Sequence, residues 1–195
     1  MNVWVANDLS LSKGRQGSAA QRLVQRAFDG HCLLGPIQPI LSHVMPDTLQ
    51  GVLMRVGLSD AHAEAARNGV EATAIGGVIG QPPYGMPGDG VQPIRDAEDG
   101  GGLDTAIAGN ADLLVTHNMK GFMPGPRADI DAEIVRMDEK GRADVLMARR
   151  GKSPHGLVIA SVFAAKVWLL DGVCPPAGIL ERFLPPAQPS GPSGR

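Results

Sequence analysis

Several short stretches of this 195-residue chain carry side chains that could act together on a phosphodiester. Asp8 stands just after the apolar run Val3-Trp4-Val5, Asp96, Glu98 and Asp99 follow Val91 to Ile94, and Thr116, His117 and Asn118 close Leu113-Leu114-Val115. Carboxylates held close together repel one another unless a divalent cation lies between them. Magnesium and manganese favour hard oxygen ligands of this kind. The chemistry implied by convergence is a metal-activated water attacking a phosphodiester, the metal offsetting charge on the transferring group. Without convergence, Asp96-Ala97-Glu98-Asp99 is a polar turn whose acids suit the start of the following helix.

The elements that would position these groups follow from spacing. Val3-Trp4-Val5 reads as a short buried strand ended by Asn7 and Asp8. Ala19, Ala20, Leu23, Val24, Ala27 and Phe28 recur at helical spacing, with Ser18 to cap the helix and Gly30 to end it. A short apolar segment around Pro39-Ile40-Leu41 precedes a helix opened by Pro46, and Ser59 caps another that Gly69 ends. Beyond a Gly/Pro-rich loop, Val91 to Ile94 reads as a brief strand. Leu103, Ala106 and Ile107 mark a helix ending at Gly109, and Leu113-Leu114-Val115 is a strand. Alternation of this kind predicts a doubly wound parallel sheet, whose ligands bind beyond the carboxyl ends of the strands.

The organisation resembles the PIN domain family, in the branch associated with toxins of toxin–antitoxin pairs. The family's opening strand reads like VLDTNVLLSA, against Val3-Trp4-Val5-Ala6-Asn7-Asp8-Leu9-Ser10-Leu11-Ser12 here. Its later pattern, like RDPDDNxxLxxAxxxxADxLVTxD, lies over Arg95-Asp96-Ala97-Glu98-Asp99, then Leu103, Ala106, Ala111-Asp112 and Leu114-Val115-Thr116-His117-Asn118. The match spans residues 3 to 122. It implies a three-layer α/β domain with a central, mostly parallel sheet flanked by helices. It also implies a Mg2+- or Mn2+-dependent endoribonuclease with RNA as substrate and an antitoxin as partner.

Carried over by position, the family's invariant aspartate falls on Ala6, whose methyl group cannot bind a metal. Asp8, two positions on, would share Ala6's face if the strand continued. The second acid would fall on Thr48, with Asp47 as its neighbour. Asp99 takes the third place, Asp96 that of its outer companion, and Asn118 the fourth. Thr116 and His117 stand beside Asn118 as supporting groups. The resemblance therefore implies a nuclease of weak or altered activity, or a catalytically inactive PIN-like protein that binds RNA or a protein partner.

Other features bound these readings. The formal net charge of −2 argues against a strongly basic nucleic-acid module. Arg95 and Lys120 flank the acids, and Arg142, Arg149, Arg150 and Lys152 form a basic concentration that could hold an RNA backbone or simply be a solvated face. Cys32 and Cys174 read as ordinary thiols, and the five histidines show no zinc spacing. The run Leu157 to Leu170 falls short of the roughly 20 residues that cross a bilayer. It reads as packing against the core, as a homodimer surface or as a surface that receives an antitoxin segment. The expected layout is a core over 1–122, a helical, apolar extension over 123–172 and a Pro-rich tail over 173–195. A cytoplasmic location without a membrane partner is expected.

Overall fold

A computed structural model describes residues 1–75, 84–85, 97–123, 132–150, 153–173, 175 and 179, with backbone alone at 74–75, 84–85, 97–99, 149–150 and 153–155. The Val91 to Ile94 segment and the Pro-rich tail beyond residue 179 lie outside the described residues.

The opening segment is a helix, α1 (Asn2–Ser12), where the apolar run predicts a strand. Its residues face two cores at once. Val3 packs with Leu23, Val24 and Val162, while Val5 packs with Leu49 and Leu53 on the other side. A helix buried on more than one side loses the polar stripe that marks a surface helix, so its sequence looks like a buried strand. Trp4 adds an edge-to-face contact with Phe28, ring centroids 5.5 Å apart at 89°.

Local signals open the next helices as their sequence predicts. Gly69, however, does not end the helix that Ser59 caps, which runs on to Ile75 because the burial of Val70 beside it outweighs the roughly 1 kcal/mol that an interior glycine costs. α2 (Ala19–Asp29) opens on a capping box in which Ser18 and Gln21 satisfy each other's backbone N–H, and Gly30 ends it at φ 70°. α3 (Met45–Arg55) has Pro46 in its first turn, and α4 (Asp60–Ile75) follows, with Ser59 Oγ accepting from His62 N. They bury Leu49, Leu53, Ala63 and Val70 against each other and Leu41. Two small strand pairs lie nearby: β1 (His31–Cys32) antiparallel to β2 (Gly35–Pro36), and β3 (Leu41–Ser42) parallel to β4 (Tyr84–Gly85). α5 (Ala97–Ala108) ends at Gly109, where an added Cβ would lie 2.5 Å from Ile40 Cγ2.

The main sheet corrects the expectation of a mostly parallel one. Its strands are β5 (Leu113–Thr116), β6 (Ala132–Met137), β7 (Ala143–Arg150) and β8 (Ser153–Ser161), in the order β5-β8-β7-β6. Only β5 and β8 are parallel; β7 is antiparallel to both β8 and β6. Short connections dictate this. The turn Asp138–Arg142 and the link 151–152 can join only antiparallel neighbours, because a parallel pair needs a crossover of a dozen residues or more. Asp138 holds its turn by accepting from the backbone of Lys140 and Arg142 and from the Arg142 guanidinium.

Residues alternate across this sheet with period two. Leu146, Ala148, Leu157 and Ile159 face Leu103, Ala106 and Phe122. Val145, Met147, Val158 and Ala160 face Ala164 and Trp168 of α6 (Val162–Leu169). Residues 123–172 thus supply three of the four main strands, and β8 pairs directly with β5.

Candidate functional site

The carboxyl end of β5 is held by a residue the sequence patterns do not single out. Asn2, at the start of α1, donates from Nδ2 to Thr116 Oγ1 (2.9 Å) and accepts at Oδ1 from His117 N (3.1 Å). Buried Thr116 also accepts from Asn118 N (3.0 Å). One amide and one hydroxyl thus set the direction in which the chain leaves the strand, with Asn118 exposed beyond it.

A cavity of about 200 Å³ opens here, lined by Asn2, Val52, Gly102, Thr116 and Phe122 among others. Gly102 belongs to α5, and residue 99 lies three positions before it, on the same side of the helix. Position 99, near the start of α5, therefore lies one helical turn from a residue that lines this cavity. The Lys120 side chain is exposed on the 3-10 turn Met119–Phe122 just after it. His117 is exposed too, and partial desolvation pushes its imidazole below its ordinary pKa.

Asp8 is elsewhere. It is 6% exposed, and His62 Nε2 on α4 lies 3.3 Å from its Oδ1. Burial raises its pKa above the ordinary aspartate value, with hydrogen bonds from His62 and Asn7 partly opposing the shift. Six residues of helix separate it from Asn2, about 9 Å along the axis and about 240° around it. The face-sharing of Asp8 with Ala6 required a strand; on a helix, positions two apart are about 200° apart.

The other expected residues are dispersed. Asp47 is exposed on α3 and bonded to Arg67 Nε at 2.7 Å, in a surface network that includes Glu71. Arg149 and Arg150 form the end of β7, described by backbone alone. Arg95 and Asp96 lie outside the described residues, and Asp99 is placed by its backbone. Among the described residues no three His, Cys, Asp or Glu side chains are grouped as a metal site.

A second polar cluster stands between β6, β7 and α6. Buried Asp144 pairs with Arg136 and accepts from Ser161 Oγ, while the Arg136 guanidinium lies 5.5 Å from the Trp168 ring centroid. Ser161 Oγ also accepts from Ala164 N (3.1 Å), capping α6.

Sequence reasoning missed Asn2, His62 and the Asp144 cluster. Each acts through a partner far along the chain, such as the 114 residues between Asn2 and Thr116, and no local spacing reveals such pairs. No family model, curated protein or solved structure matches the chain. Among the described residues no helix is long and apolar enough to cross a membrane.

Proposed function

We propose that the chain is a PIN-like endoribonuclease of weak or altered activity, a toxin of a toxin–antitoxin pair working in the cytoplasm, with its centre at the carboxyl end of β5. One observation supports this reading: Gly102 of α5, one helical turn beyond position 99, lines the cleft where Asn2 clamps Thr116 and Asn118 follows. An acid there, with Asp96 as its companion, supplies hard oxygen ligands for Mg2+ or Mn2+. The metal would contribute activated water and charge neutralisation at the scissile phosphate. Asn118 adds an amide that can orient water or phosphate without adding negative charge. With fewer carboxylates than a four-acid centre, the cation is held loosely, so activity should need high metal concentration. Lys120, Arg95, Arg149 and Arg150 are the proposed contacts to the RNA backbone.

A second reading, a catalytically inactive PIN-like protein that binds RNA or a protein partner, is favoured by the position of Asp8. With Asp8 paired with His62 and on a different side of α1 from Asn2, this reading leaves the place of the acid missing at Ala6 unfilled. Cleavage of labelled single-stranded RNA with manganese separates the two. The nuclease reading expects slow, metal-dependent cleavage that Asp99→Ala abolishes; RNA binding without cleavage over a range of substrates supports the second.

A further inference from the structure

A cavity lies beside the outer edge of β5, and its walls suit a strand. It has a volume of about 470 Å³ and is walled by Leu113 and Val115 of β5, by Ile40 and Leu41 across from them, and by Trp4 of α1 and Ala106 of α5. That size alone would suit a small apolar molecule. The backbone at its wall argues for something more specific.

Val158 N donates to Asp112 O, and Leu113 and Val115 stand opposite Val158 and Ala160 in parallel register. In a parallel ladder this arrangement directs the N–H and C=O of Leu114 and Thr116 toward β8 and those of Leu113 and Val115 away from it. No described strand pairs with that outward edge, since β5 is the last strand on that side of the sheet among the described residues. Gln38 is among the residues that line the cavity, and its buried Oε1 has no hydrogen-bond partner among the described residues. An edge strand presents backbone donors and acceptors on its open side, so the slot combines apolar walls with an edge that no described strand pairs.

We infer that this slot takes an extended apolar segment of a partner chain, added as a strand against β5. A partner strand supplies N–H and C=O groups at the spacing Leu113 and Val115 require and buries its side chains between α1 and α5. The four residues of β5 call for a segment of about four or five residues, roughly 13 to 17 Å long. It should be rich in Val, Ile and Leu and uncharged within the slot, because the two faces it would meet are apolar. A small molecule would fill the volume and leave the outward edge unpaired.

The experiment compares two peptides on the full chain: fluorescein-labelled Lys-Val-Leu-Val-Ile-Lys, and the same sequence N-methylated at alternate residues on its pairing edge. N-methylation preserves the side chains and removes the donors that a ladder needs. The unmodified peptide is expected to bind at least roughly tenfold more tightly, the cost of about one hydrogen bond. Amide exchange at Leu113 and Val115 should slow on binding, while exchange at Leu114, already paired with β8, should change less. Equal binding of both peptides would show an apolar cavity without strand addition and overturn the inference. Absence of binding by a folded chain would also overturn it. So would a free chain that sediments as a dimer with Leu113 and Val115 already protected, which would place a second copy in the slot.

Discussion

His62 Nε2 and Asp8 Oδ1 lie 3.3 Å apart across the α1–α4 contact, joining residues 54 positions apart in the chain. The pair draws Asp8 into the packing of two helices. A carboxylate in this setting responds to pH through its burial. Because folding raises its pKa, the unfolded state releases its proton first as pH rises, and stability is lost over that interval. The contribution is fully present below the ordinary aspartate pKa and gone above the raised folded value. Asp8→Asn, which can still accept from His62, is expected to flatten this part of the stability profile measured by urea unfolding from pH 3.5 to 7. An unchanged profile would contradict the assignment.

The same pair separates structural from catalytic acids. If the centre lies at the end of β5, Asp8→Asn should retain whatever manganese-dependent RNA cleavage the chain has, whereas Asp99→Ala should lose it. Single-turnover cleavage of labelled RNA reads both, and equal loss in a folded Asp8→Asn variant would return Asp8 to the site.

Asn2 both donates to Thr116 and accepts from His117, so Asn2→Ala leaves a buried hydroxyl and a backbone N–H with fewer partners. The expected cost is about 1–3 kcal/mol. Amide exchange should accelerate at His117 and Asn118 while the β7–β8 ladder stays protected. Denaturant unfolding and residue-level exchange check the two parts.

Asp144→Ala strands Arg136 beside Trp168 and removes the acceptor of Ser161. Breaking a buried ion pair costs about 3–5 kcal/mol. The Arg136 side chain is 33% exposed, so water screens part of this and the lower end is expected. Thermal unfolding of Asp144→Ala against Asp144→Asn, which retains an acceptor for Ser161, measures it.

Gly109→Ala places a methyl group 2.5 Å from Ile40 Cγ2. Overpacking of this kind costs about 1–3 kcal/mol. Ile40→Ala in the same chain should recover part of that loss, and a double-mutant cycle by urea unfolding gives the coupling.

What the sequence by itself determined is local. Ser18 with Gln21 and Gly30 delimit α2, Pro46 opens α3, and Gly109 ends α5 just before β5, because caps and turns act over a few residues. Tertiary structure decided the rest. Val3-Trp4-Val5 became helical because it is enclosed by two cores, which erases the period that would have marked it. Val145-Leu146-Met147-Ala148 and Leu157-Val158-Ile159-Ala160 are paired strands covered on both faces, so their continuous apolar runs do not announce direction or partner. The short connections between β6, β7 and β8 made the sheet mostly antiparallel. The acids follow the same division: their positions can be read along the chain, but Asp8 went to His62 because a helix turns its side chains through about 100° per residue.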